Sequence, residues 1–209
     1  MNKEIGISPV VAEGNRVLSE AIKHFGLSIP PEKIILTVQS KGRKNALGWF
    51  WSDSWKLKKA SYHEINLSAE HLAEHNMGET LLHELAHAEN CHQGIQDCDK
   101  SGRRHNKKFK TMAEKLGLTV EKAGSLGWAY TDLAEPGKQF LEGIKFDRSI
   151  FEMFRKGASK SGKQSTRLLK CECPDCGYVV RTTQKWLDIG VPTCPCGTEM
   201  EAAGNEKED

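Results

Sequence analysis

Apolar positions recur every three or four residues from Val10 through Val17, Leu18, Ala21, Ile22 and Phe25. That period predicts an amphipathic helix, with Ser8 and Pro9 as cap and first position and Gly26 as its stop. The period then changes. "KIILTVQS" (33–40) and "ALGWFW" (46–51) are β-rich runs separated by the turn residues "KGRKN", and "YHEINLS" (62–68) alternates as a third strand. Asn76, with Glu79 three residues on, resembles a capping box and opens a helix through "ETLLHELAHAEN" (79–90). A further helix starts near His105 and runs to Leu116, before Gly117. Over 118–154 the period is weak, although "QFLEGIKFDRSIFEMF" (139–154) reads as partly helical and suited to packing on the main domain. One helix, three strands and then more helices make an α+β domain over 1–154.

The pattern ends at "RKGASKSGKQSTR" (155–167), where glycine, serine and basic residues occur without an acid or an apolar run. This stretch reads as a flexible basic linker. Residues 168–203 then hold five of the seven cysteines and form a small separate unit, and 204–209 are an acidic tail. A chain of 209 residues, 38% hydrophobic and 28% charged, has the composition of a globular protein with room for a sizeable core. A formal net charge of +2 predicts no nucleic-acid partner by itself, so local clusters must carry any such reading. The N-terminal stretch lacks the apolar region of a signal peptide, and no apolar run approaches the roughly 20 residues of a membrane span. The expected compartment is the cytoplasm, the expected state a monomer. There the cysteines read as metal ligands or free thiols rather than disulfides.

His83 and His87 stand four apart, so on a helix both imidazoles share a face. Neutral imidazole is a good zinc ligand. Glu84 lies one residue round from His83, where it can flank a metal without binding it and take a proton from water. Zinc lowers the pKa of a water in its shell towards about 7, so this is the mechanical reading of H-E-x-x-H. Leu81, Leu82, Leu85 and Ala86 make the segment apolar enough to lie under a cleft. The third ligand is less determined. Asn90 and Gln93 stand where a metzincin would have glycine and histidine. A gluzincin would use a downstream glutamate, and the first past Glu89 is Glu114. His105, in "RRHNKKF", begins its own predicted helix and is the leading choice. Asp97 and Asp99 are weaker ones.

Five cysteines form a second constellation. Cys173-x-x-Cys176-Gly has the shape of a zinc knuckle, and Cys194-x-Cys196-Gly supplies a second pair one residue short of the usual ribbon spacing. Four sulfurs suffice, which leaves Cys171 as spare or as an alternate for Cys173. So small a unit has too little core to fold without a metal, and a zinc filled by four thiolates is structural. Two zinc ions per chain are therefore expected, one catalytic and one structural.

Cys91, Cys98 and His92 read as ordinary thiols and a surface histidine, and Trp49 and Trp51 as core or hairpin packing. His24, His63, His71 and His75 lack partner spacing. The basic residues are more suggestive. Arg103, Arg104, Lys107 and Lys108 surround His105, the linker adds Lys160, Lys163 and Arg167, and the cysteine unit adds Arg181, Lys185 and Trp186. Such cations suit phosphate contact, and Trp186 offers a face on which a base could stack.

"ETLLHELAHA", the histidine in "RRHNKKFK" and the C-terminal cysteine ribbon together resemble the SprT-like zinc metalloproteases, relatives of the DNA–protein crosslink protease Spartan. "NALGWFW" and "YHEINLS" also sit where that family has its glycine-aromatic hairpin and the strand before the helix. The resemblance covers roughly residues 8–116 and 168–198. It implies a zincin-like protease core with zinc on His83, His87 and His105 and Glu84 as base, proteolysis of DNA-attached proteins, and DNA as activator. The short second knuckle departs from the family ribbon.

The sequence thus reads as an α+β zincin-like zinc endopeptidase with a C-terminal zinc ribbon, a protein substrate and a single-strand-preferring DNA partner. Tyr62, His63, His92 and Tyr130 are candidates for stabilising the oxyanion, and the strand at 62–68, if an edge, would pair with substrate. Two readings compete: a nucleic-acid-binding module whose zinc sites are both structural, and a metallopeptidase with no DNA role.

Overall fold

The computed structural model describes residues 6–40, 46–156 and 168–202. The chain divides into two compact units, Met1–Lys156 and Gly157–Asp209.

In the first unit, helix α1 spans Ile7–His24 and buries Val10, Val17, Leu18, Ala21 and Ile22, the stripe its period predicts. It starts two residues earlier than the Ser8–Pro9 signal suggests. Gly6 is the cap residue, and Ser8 and Pro9 fall within the first turn, where proline forfeits no hydrogen bond. Strands β1 (Ile34–Gln39), β2 (Gly48–Leu57) and β3 (Ala60–Ser68) form one sheet in the order β1-β3-β2. β3 pairs parallel with β1 and antiparallel with β2. The strand at 62–68 is therefore central rather than an edge, which corrects the expectation that it receives substrate. β2 is longer than 46–51 because the chain continues past a bulge between Trp51 and Trp55 and turns back at Lys58 to Ala60. Its far half is exposed, with Trp51 and Trp55 each nearly half accessible.

Helix α2 (Met77–His92) runs through the middle of this unit, and most of its residues are buried. The Asn76 side chain accepts the Gly78 N–H, as an N-cap should. Glu79, the expected reciprocal member of the capping box, instead accepts a hydroxyl from Thr131. Near the other end of α2, Glu89 is fully buried. Its carboxylate accepts the backbone N–H groups of Ser28 and Ile29, each at 2.8 Å, and so ties the loop after α1 to α2. Helix α3 (Lys107–Lys115) and the antiparallel pair β4 (Leu118–Glu121) and β5 (Tyr130–Leu133) follow. Helix α4 (Glu135–Gly143) and a 3-10 turn at Arg148–Phe151 complete the unit. Phe140, Leu141 and Phe151 enter the core, so the weakly periodic stretch beyond 118 belongs to this hydrophobic cluster.

In the second unit, β6 (Leu168–Glu172), β7 (Val179–Thr183) and β8 (Glu201–Ala202) form a sheet in the order β7-β6-β8, with a one-turn helix α5 at Gln184–Leu187. Its buried cluster consists of Cys171, Cys173, Cys194 and Met200, flanked by Val180 and Leu187. The whole chain is a mixed α+β structure. Among the described residues, no helix is long and apolar enough to cross a membrane.

Candidate functional site

Two parts of the chain deliver three imidazoles to one point. His83 and His87 project from α2, and His105 comes from the segment just before α3. Each offers a ring nitrogen, and these atoms lie within 4.8 Å of one another. Phe109, fully buried on α3, is the floor beneath them, with its ring centroid 4.7 Å from His83 and 4.5 Å from both His87 and His105.

Backbone contacts hold His105 in place. Its N–H donates to Leu126 and its carbonyl accepts from Trp128, at 2.9 and 3.1 Å. Gly127, between those partners, has a φ of 71°, and a Cβ there would stand 2.2 Å from the His105 oxygen. Only glycine permits this crossing. Asn106 then caps α3 by accepting the Lys108 and Phe109 N–H groups. The helix thus begins after His105, which sits in an extended bridge between Cys98 and Gly127.

The other candidates for third ligand are engaged elsewhere. Glu114 is on α3 in an ion pair with Lys110 at 3.4 Å. Asp99 closes its own loop by accepting from the Ser101 hydroxyl and the N–H groups of Ser101 and Arg103. Asp97 accepts from His87 Nδ1 at 2.8 Å and from Asn90 at 3.0 Å. A carboxylate in that position orients a ligating imidazole rather than replacing it.

His87 Nε2 faces His105 Nε2 at 3.0 Å. Two lone pairs cannot oppose each other at that distance without a proton or a cation between them. Burial disfavours the His87 cation, but the hydrogen bonds to Asp97 and Cys98 and the Glu84 charge outweigh it and raise its pKa to about 10. His83 and His105 move the other way. Burial, and then the charge on His87, holds His83 well below its ordinary value and brings His105 down to about 4. The three ring nitrogens converge as ligands to a divalent ion would. The donor set fits zinc: three imidazoles, with His83 and His87 tied through Nδ1 to Thr131 and Asp97 so that Nε2 is left for the centre.

Glu84 is buried on the same helix and lines the same cleft, a cavity of about 800 Å³. Gly48, at the start of β2, lies against it. A Cβ at Gly48 would meet Glu84 Cγ at 3.2 Å, Thr80 Cγ2 at 2.9 Å and the Asn66 carbonyl at 2.9 Å. The glycine lets the sheet edge press onto α2 beside Glu84. The loop carrying Lys100 and Arg103 also lines the cleft. None of Tyr62, His63, His92 or Tyr130 lines it.

The model of the SprT-like family matches residues 4–125, more than half of the chain. The chain belongs to the SprT-like family. No curated protein and no solved structure matches it. Membership marks residues 4–125 as a metalloprotease-type domain. The clamp on His105 at 126–128 and the Thr131 contact to His83 lie just beyond the matched region of this SprT-like chain.

In the second unit, Cys173, Cys176, Cys194 and Cys196 gather their sulfurs. Cys173 and Cys196 are 3.5 Å apart, as are Cys176 and Cys194. The Thr198 hydroxyl and N–H, with the Cys194 and Cys173 thiols, lower the Cys196 pKa to about 6. Cys171 stands outside this set, buried on β6 opposite Val180. The four sulfurs form a set compatible with zinc.

Arg103, Arg104, Lys107 and Lys108 are exposed around His105, and Arg181, Lys185 and Trp186 are exposed in the second unit. The expected contacts Lys160, Lys163 and Arg167 lie outside the described residues. Sequence reasoning gave Cys98 no role, yet it lines the cleft, and its sulfur lies within 4.8 Å of ligand atoms of His87 and Asp97. No local signal marks Gly48 or Thr131, because their partners are distant in sequence.

Proposed function

We propose that this chain is a zinc-dependent endopeptidase acting on DNA-bound or DNA-crosslinked proteins. The observation that carries the reading is the convergence of His83, His87 and His105 beside the buried carboxylate of Glu84 in one cleft. The first unit is then a zincin-like protease domain, and the second a structural zinc ribbon on Cys173, Cys176, Cys194 and Cys196. A zinc ion held by the three histidines supplies Lewis-acid polarisation of the scissile carbonyl and acidifies water.

Every other step belongs to the chain. Glu84 takes the proton of the attacking water and passes it to the leaving amide nitrogen. Asp97 holds the His87 ring through Nδ1. The substrate backbone lies along β2, the edge strand whose Trp49–Ser52 segment lines the cleft, by strand addition. Lys100 and Arg103 bring cations to the lining of the same cleft.

The exposed cations support DNA as partner. In the second unit Lys185 Nζ lies 5.6 Å from the centre of the exposed Trp186 ring, a pairing suited to a phosphate beside a stacked base. Contacts of this kind favour single strands and weaken steeply with salt. The buried Glu84 in the same cleft supports an enzyme over a purely structural module.

The test is a peptide-cleavage assay with and without single-stranded DNA. Glu84→Gln should lower the rate by at least about 100-fold while zinc is retained. Cleavage by Glu84→Gln at the wild-type rate would end the protease reading. Active wild-type protein with no DNA binding at low salt leaves the plain metallopeptidase. Replacing Arg181, Lys185 and Trp186 should weaken DNA binding and DNA stimulation together.

A further inference from the structure

The hydrogen bond from His83 does not end at Thr131. Thr131 lies on β5, paired opposite Val120, and the strand alternation turns it inward between exposed Tyr130 and Asp132. Its Oγ1 is 3.0 Å from His83 Nδ1 and 2.5 Å from Glu79 Oε1, to which it donates. Glu79 and His83 are four apart on α2, so both reach the same strand residue from one helix face.

A hydroxyl has a single proton. Here it is spent on Glu79, so towards His83 the Thr131 oxygen can only accept. His83 must then carry its own proton on Nδ1, and its Nε2 keeps the lone pair. The reverse arrangement, with Thr131 donating to Nδ1, would put the ring proton on Nε2, where it would oppose a cation. Asp97 meets His87 Nδ1 directly, and at His83 Nδ1 the Glu79–Thr131 pair supplies the equivalent through a hydroxyl.

We infer that Thr131, backed by Glu79, is a positioning residue that fixes the His83 tautomer and holds Nε2 towards the metal centre. This rests on the metalloprotease reading above. It also gives a residue beyond the matched family region a role in the centre.

The test uses the full chain and cobalt(II), whose visible spectrum separates a histidine set from a cysteine set. Thr131→Val keeps the side-chain shape and removes the hydroxyl. It should weaken cobalt at the histidine set about 10–100-fold, while Thr131→Ser stays within about threefold of wild type. Cobalt at the cysteine set should be unchanged in both variants. Imidazole nitrogen NMR of the metal-free wild type supplies a second readout that depends on no variant, and it should find the His83 proton on Nδ1. Wild-type cobalt affinity in Thr131→Val, or a His83 proton on Nε2, would overturn the inference. Failure of wild-type protein to hold cobalt at the histidines would instead overturn the metalloprotease reading, and the tautomer would still decide the positioning role.

Discussion

In the first unit, the three histidines stand on a frame built of other things: α1, α2 and the sheet close over a continuous core in which Leu81, Leu82 and Leu85 are wholly buried. In the second, three of the four buried cluster members are cysteines, and two of these, Cys173 and Cys194, belong to the gathered sulfurs. Remove the metal ligands from the first unit and its core remains. Remove them from the second and almost nothing apolar is left to bury. The same kind of ligand set is an attachment to one fold and the substance of the other.

The largest effect should follow metal removal. A structural zinc on four thiolates contributes on the order of 10–16 kcal/mol, far more than so small a core can replace. Chelation should therefore unfold 168–202 and leave the first unit folded, as amide exchange resolved along the chain would report. Loss of both units in one transition would break the comparison. Single substitutions sharpen it. Cys176→Ser should lower the zinc content by one ion and unfold the second unit. His105→Ala should lower zinc by one ion yet shift first-unit stability by only about 1 kcal/mol, because the 105–127 bridge is made by backbone.

The two sites also differ in how far the sequence discloses them. Helical spacing is enough to bring His83 and His87 together, because four residues on a helix share a face. The two cysteine pairs announce themselves because so little else in 168–203 can form a core. His105 needs more: its position depends on Gly127 and on backbone bonds from Leu126 and Trp128, which no local pattern encodes. The open question of whether 62–68 is an edge has the same origin. Alternation identifies a strand, but order in the sheet is set by the parallel pairing of β1 with β3, a long-range choice. The capping-box reading of Glu79 failed because Thr131, 52 residues away, competes for its carboxylate.

A middle-sized effect concerns the frame alone. Glu89 is buried, which by itself would raise its pKa. The N–H groups of Ser28 and Ile29, the Ser28 hydroxyl and Gln93 outweigh burial and lower it. A carboxylate depressed in the folded state stabilises above its unfolded pKa of about 4.3, and that contribution is lost as pH falls through the lower folded value. Glu89→Gln turns an amide group against donors and should cost about 2–3 kcal/mol at neutral pH. The loss should shrink in acid, where the wild type is protonated too. Thermal melts of the first unit across pH 3–7 check both statements. A constant difference would detach Glu89 from the acid response.

The smallest effect tests which sulfurs make the second unit. Cys171 is as buried as Cys173, and sequence spacing alone allows either to complete the set. The geometry separates them. Cys173 lies 3.5 Å from Cys196, whereas Cys171 sits on the central strand β6 with Val180 on one side and Ala202 on the other. Cys171→Ala should then behave as a packing change: the zinc count is kept, and stability falls by about 1 kcal/mol, the scale of one buried methylene-sized group. Cys173→Ala should instead release the ion. Metal analysis and melting of the two variants side by side decide the matter. Zinc lost from Cys171→Ala and kept by Cys173→Ala would exchange their roles, and would make the first cysteine of "CECPDCG" a ligand with the short knuckle rearranged around it.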